Sequence, residues 1–163
     1  MRAAILRDDS GTLNIEDVTI DKPDRNEVLI KTVASGLCHS DLHFIDGSWS
    51  FLAMYPMLLG HEAAGVVQAV GEDVVGIQTG DHVITCLSMF CGYCERCLTG
   101  HSYLCSERQQ VQGRQPGNQP RITDNDGAEV NQFTGIGSFG EEMLVHQNGV
   151  VKISNEMPLD RAA

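Results

Sequence analysis

The stretch CGYCERCLTGHSYLC, residues 91–105, carries four cysteines separated by two, two and seven residues. Thiols this crowded are cross-linked, gathered on a metal or left reactive, and each outcome restricts the fold around them. Disulfides at such spacing would be cramped and would need an oxidising compartment. An iron–sulfur cluster uses a similar C-x2-C-x2-C run, but its fourth ligand usually sits in a different context, often before proline. Structural zinc takes four tetrahedral ligands and favours thiolates. Cys91, Cys94 and Cys97 are close enough to wrap one ion, and Cys105 closes the cage. Zinc is the favoured occupant of this lobe, residues 88–108. A four-thiolate zinc keeps no open position, so any chemistry belongs elsewhere.

The rest of the chain bounds the remaining choices. At 163 residues and 42% apolar content it can bury a real core and does not need disulfides to fold. Twenty-two acids against 11 bases give a net charge of −11, with the bases scattered. That excludes the basic face a nucleic-acid partner needs and disfavours an anionic membrane surface. The opening MRAAILRDDS has no apolar region suited to a secretory signal, and no apolar run approaches a membrane span. A cytoplasmic, reducing location is expected, which favours metal-bound over cross-linked cysteines.

Short segments rich in β-branched residues and broken by Gly, Asp and Pro predict strands over AAILR, LNIEDVTI and EVLIKTVASG in the first 36 residues. A helical turn follows at CHSDLHFIDG, then strands at AAGVVQAVGEDV and GDHVITCL. Residues 107–133 are polar with little periodicity and are expected as a long loop of the functional or mobile kind. FGEEMLVHQNGVVKI returns to strand. The expected class is mainly β with short helices, a barrel or twisted sandwich carrying the cysteine lobe. GIGSFG, residues 135–140, fits G-x-G-x-x-G but precedes a strand pattern rather than a helix, so it is rejected as a nucleotide site.

Two further cysteines lie outside the lobe. Cys38 opens CHSDLH, and 23 residues later GHEAAG brings His61 and Glu62. A cysteine, a histidine and a glutamate from separate segments suit a catalytic zinc with one open position, although such a pair also arises from packing alone. Cys86, inside VITCL, reads as core.

GHEAAGVVQAVGEDV matches G-H-E-x-x-G-x-x-x-x-x-G-x-x-V, and GDHV at 80–83 and the four-cysteine lobe follow it. Together these motifs resemble the zinc-containing medium-chain alcohol dehydrogenases along the whole chain. The resemblance implies a GroES-like β-barrel domain, one structural and one catalytic zinc, and oxidation of a small alcohol to an aldehyde or ketone by hydride transfer to NAD(P). Cys38 and His61 then look like catalytic zinc ligands, with Glu62 as a nearby acid able to approach the metal. Asp41 would orient His61. Ser40 would take the alcohol proton and His43 would pass it outward, with His39 near the cofactor pyrophosphate. Trp49 and Leu87 fall at positions that line the substrate pocket. Ser40 also suits a helix cap, and the other polar residues of this run also suit a solvated surface.

The family pattern has a third cysteine ligand and a Rossmann domain beyond a segment like PLDRAA, where this chain stops. Residues 1–163 are therefore expected to be the N-terminal catalytic part of such an enzyme, inactive alone, holding the catalytic zinc weakly and capable of homo-oligomer formation. Related enzymes acting on thiol–formaldehyde adducts or polyols, and a non-catalytic zinc-binding GroES-like interaction module, are the alternatives.

Overall fold

The β-branched runs do form strands, and they curl. The computed structural model describes residues 1–114 and 117–163. Among them the strands are β1 (Arg2–Leu6), β2 (Leu13–Asp17), β3 (Thr19–Ile20), β4 (Glu27–Ser35), β5 (Met57–Leu58), β6 (Ala63–Val70), β7 (His82–Thr85), β8 (Ile122–Thr123), β9 (Asn131–Gln132), β10 (Glu142–His146) and β11 (Val150–Lys152). Four short helices accompany them: α1 (His39–Ile45), α2 (Glu95–Leu98), α3 (Arg108–Gln112) and α4 (Leu159–Ala162). No helix among the described residues is long and apolar enough to cross a membrane.

A five-stranded antiparallel sheet runs β10-β4-β6-β7-β11, and a second sheet runs β2-β1-β5-β9. The segment entering β10 stitches the two together. Ala3 bridges Gly140, Ala4 N–H donates to the Phe139 carbonyl at 2.9 Å, and Glu141 N–H donates to the Arg2 carbonyl at 3.1 Å. The expected barrel-like architecture follows from that seam. β4 obeys the period of two, with Val28 and Ile30 buried and Lys31 exposed. These side chains meet Val67, Met143 and Val145 in the largest core cluster. Of two register shifts in the β4–β6 pairing, the one between Thr32 and Ala34 bends the sheet beside the ends that carry Ser35 and Ala63. Gly65 sits where β4 comes closest. A Cβ there would lie 2.3 Å from the Lys31 carbonyl oxygen, so only glycine fits.

A separate cluster of Leu6, Phe44, Met57 and Leu59 fastens α1 to the barrel wall. Each such side chain stabilises the packing by roughly 1.5–3 kcal/mol. This cluster fixes where the start of α1 points, and Cys38 stands there as its N-cap.

Three expectations change. The run FGEEMLVHQNGVVKI is two strands, separated by a 3-10 turn over Gln147–Gly149. Cys86 is exposed rather than core. β7 ends at Thr85, and strand parity places residue 86 with His82 and Ile84, opposite the buried Val83. Finally, the polar stretch 107–133 is anchored over its described part, residues 115–116 lying outside it. It contains α3, β8 and β9, and two arginines pin it to β4. Arg114 pairs with Asp21 at 2.5 Å and with Glu27 at 2.7 Å, and Arg121 pairs with Glu27 at 2.7 Å. Arg121 also donates to the Gln112 carbonyl at 2.6 Å, closing the end of α3. Burial alone would raise the Glu27 carboxyl, but the two guanidiniums and the Asp24 N–H hold it down at about 2.

Candidate metal centres

In the cysteine lobe every sulfur faces the others. Cys94 Sγ lies 3.5 Å from Cys97 Sγ and 4.0 Å from Cys105 Sγ, and Cys91 Sγ lies 3.9 Å from Cys97 Sγ. All six cysteines of the chain are free thiols, which removes the disulfide alternative. Four sulfurs about 2.3 Å from one ion in a tetrahedron stand roughly 3.8 Å apart, so the observed spacing fits a four-thiolate zinc. The backbone is arranged for charged sulfur. Cys94 N–H donates to Cys91 Sγ and Cys91 N–H to Cys105 Sγ, both at 3.3 Å. The N–H groups of Cys97 and Ser106 bring the Cys94 thiol down to about 5, while loss of water contact pushes Cys97 up. A pair of thiols in which one ionises first and the other resists is what a dication resolves.

The second constellation is assembled from distant segments. Cys38 comes from the start of α1, and His61 and Glu62 from the turn entering β6. Their donor atoms lie within 4.8 Å of one another. Asp41, 3% exposed, ties the two segments by their backbones. Its Oδ2 accepts from Cys38 N–H at 3.2 Å and its Oδ1 from Gly60 N–H at 2.9 Å. The same Oδ1 lies 3.6 Å from His61 Nδ1, a nitrogen that is buried and has no hydrogen-bond partner among the described residues. Sequence reasoning assigned Asp41 to His61 alone; in the structure it also holds the main chain on both sides. Gly60, with φ of +87° and a virtual Cβ 2.4 Å from Ser138 Oγ, is what lets the turn come this close.

The turn is saturated by further contacts. Ser138 N–H donates to the Gly60 carbonyl at 3.0 Å and Gly36 N–H to the Glu62 carbonyl at 2.7 Å. Thr85 Oγ1 donates to the His61 carbonyl at 2.9 Å and accepts from Ala63 N–H at 3.0 Å. Phe133 stands edge-on to His61 at 5.1 Å. Sequence reasoning missed both residues. A threonine inside the apolar run HVITC was the only signal for Thr85, and nothing local marked Phe133.

The remaining candidate residues lie on or beside α1 and just beyond β7. Ser40 Oγ is 3.5 Å from Cys38 Sγ. His39, exposed, stacks on His43 at 4.7 Å, and His43 lies against Trp49 at the same distance. Trp49 packs edge-on to Phe44. Leu87 lines an open cavity of about 370 Å³ together with His61, Glu62 and Cys86. The structure thus places Ser40 at the Cys38 sulfur and Leu87 in a cavity with His61 and Glu62, while His39, His43 and Trp49 form a stack of their own on and beside α1.

A curled β-barrel with a four-cysteine lobe and a Cys–His–Glu cleft defines a zinc-dehydrogenase type of domain. Residues 24–155 match the family described as the alcohol dehydrogenase GroES-like domain. The chain is 36% identical over 162 residues to S-(hydroxymethyl)glutathione dehydrogenase of Saccharomyces cerevisiae, covering 98% of this chain and 42% of that protein. It is 37% identical over 162 residues to the NDMA-dependent alcohol dehydrogenase of Amycolatopsis methanolica, covering 99% and 43%. Among solved structures, an alcohol dehydrogenase zinc-binding domain protein from Burkholderia ambifaria superposes with a TM-score of 0.86 at 35% identity, covering 97% of this chain and 43% of the other. Benzyl alcohol dehydrogenase from Acinetobacter calcoaceticus gives 0.81 at 31% identity, covering 99% and 43%. The chain belongs to the GroES-like domain family of the zinc-type medium-chain alcohol dehydrogenases and spans 42–43% of the length of these curated relatives.

Proposed function

We propose that this chain is the metal-bearing catalytic portion of a zinc-dependent, NAD(P)-linked alcohol dehydrogenase that converts small alcohols to aldehydes or ketones. The observation that carries the reading is the convergence of Cys38, His61 and Glu62 donors within 4.8 Å, beside a serine and a histidine on α1. Cys38 Sγ, the His61 nitrogen turned away from Asp41 and the Glu62 carboxylate would hold the metal, and the four-cysteine lobe would hold a second, structural ion. Zinc in the cleft supplies Lewis-acid polarisation of a substrate oxygen.

The chain's own residues supply positioning and proton transfer. Ser40 Oγ, next to the Cys38 sulfur, accepts the proton of a substrate hydroxyl while releasing its own toward His43. His43, stacked between His39 and Trp49, carries it toward solvent. His39, exposed beside His43, would face the cofactor pyrophosphate. Trp49 and Leu87 exclude water from opposite sides of the substrate pocket. The match to 42–43% of each relative supports an NAD(P)-binding domain elsewhere in the whole protein. A reducing cytoplasm keeps the six thiols available. Conversion of a hydroxymethyl thiol adduct is the second substrate reading, favoured by the name of the yeast relative.

Metal content tests the proposal. Protein purified without added metal should contain two zinc per chain, one of them lost first to a mild chelator, and Cys38→Ser should retain only the tightly held ion. By itself the chain should reduce NAD(P) slowly or not at all. One zinc in the unsubstituted chain, or a turnover near the roughly 10 per second typical of whole enzymes, would overturn this reading.

A further inference from the structure

We infer that Thr85 is a positioning residue for the Cys38–His61–Glu62 centre, setting how tightly that centre holds a divalent metal. The inference rests on the metal reading above and adds a residue that the ligand set does not contain. One hydroxyl oxygen makes two short contacts across the ligand turn, and a longer one to the Ala63 carbonyl at 3.4 Å. It donates to the carbonyl of His61 and accepts from the N–H of Ala63, at 2.9 and 3.0 Å. These two backbone groups flank Glu62 on either side. Thr85 Oγ1 therefore closes a small ring around the residue between them, and that ring fixes the backbone dihedrals of Glu62. Those dihedrals decide whether the His61 ring and the Glu62 carboxylate point to one place or to two.

The clip is itself held. A threonine hydroxyl can donate once and accept, and both capacities are used here. Branching at Cβ limits the side chain to few rotamers. The Thr85 backbone is fixed by its pairing with Val150 of β11. Barrel geometry is thereby transmitted to the ligand turn through one oxygen. Other partners of the turn, from Asp41, Ser138 and Gly36, hold the Gly60 N–H, the Gly60 carbonyl and the Glu62 carbonyl. None of them reaches the His61 carbonyl or the Ala63 N–H.

The test uses the full chain with Zn²⁺ in competition against a chelating dye, and Co²⁺ absorption as the spectroscopic readout. Cys38→Ser marks which of the two bound equivalents belongs to this centre. Thr85→Val keeps the branched shape and removes the oxygen. It should weaken that equivalent by roughly 10–100-fold, the usual effect of losing a partner behind a metal ligand, and alter its Co²⁺ bands. The four-cysteine equivalent should keep its affinity. Thr85→Ser, which restores the oxygen, should recover most of the loss. Linkage gives a second test that needs no variant. If the clip tightens the metal, the metal tightens the clip by the same factor. Amide exchange at Ala63 in the unsubstituted chain should then slow as the second equivalent binds. Unchanged affinity in Thr85→Val, or Ala63 exchange indifferent to metal, overturns the role of Thr85. An unsubstituted chain that binds no second metal overturns the centre itself.

Discussion

The two cysteine-bearing regions solve the same problem in opposite ways. In the lobe, all four donors lie within residues 91–105, the backbone N–H groups that serve the sulfurs belong to residues 91–106, and Cys105 alone of the four is buried. In the cleft, the donors come from the start of α1 and the turn before β6, and the contacts that hold them reach across the barrel to Asp41, Thr85, Gly36 and Ser138. The lobe keeps its donors and the groups that serve them in one segment, so an ion is expected to be what orders it. The cleft inherits its structure from the fold and offers it to an ion. The first should therefore fail locally and completely when metal is removed, and the second should persist almost unchanged.

The largest expected effect tests that contrast. Cys94→Ser, or stripping metal with a strong chelator, removes a contribution on the order of 10 kcal/mol to the local structure of residues 91–105. Hydrogen exchange should collapse there while β4, β6 and β10 stay protected. A barrel that unfolds with the lobe would break the comparison.

Glu27→Gln comes next, because Glu27 anchors the stretch that follows the lobe to β4. It holds Arg114 and Arg121, and Arg121 in turn closes α3 just beyond Cys105. Breaking a buried pair of this kind costs about 3–5 kcal/mol, read as a lower urea midpoint at neutral pH. The pH dependence has a definite sign. The carboxyl is held at about 2 in the fold against an ordinary value of 4.5. Its stabilisation is complete above pH 4.5 and disappears as the pH falls from 4.5 toward 2. The unsubstituted chain should lose stability across that window, and Glu27→Gln should have a flatter profile there.

Asp41→Asn should weaken the cleft metal by about 10–100-fold and leave the lobe metal untouched, measured by the same competition assay. Equal weakening at both sites would show that the cleft and lobe are coupled. The smallest effect is expected from Thr32→Val. The Thr32 hydroxyl is buried without a partner among the described residues, so its removal should change stability by less than about 1 kcal/mol and change neither metal. Set against Thr85→Val, it separates a hydroxyl that is used from one that is not.

The same contrast explains what could be read from the sequence. The lobe was legible because its donors are neighbours in the chain, and spacing alone limits their geometry. Cys38 and His61, 23 residues apart, gained meaning only through the G-H-E-x-x-G pattern and its family resemblance. The barrel strands were legible from alternation, but alternation does not say where pairing stops. That is why Cys86 was assigned to the core although β7 ends one residue earlier. The polar stretch after the lobe looked unanchored because its anchor, Glu27, lies 87 residues before Arg114 and 94 before Arg121. Phe133 against His61 is a product of topology, with no trace in the local pattern.

The misplaced thiol has a use of its own. Cys86 is exposed, belongs to neither cluster, and lines the cavity it shares with His61 and Glu62. When metal protects the other five sulfurs, a thiol-reactive fluorophore has one address on the molecule. That address looks onto the cleft, so the label's emission becomes a running report of what enters.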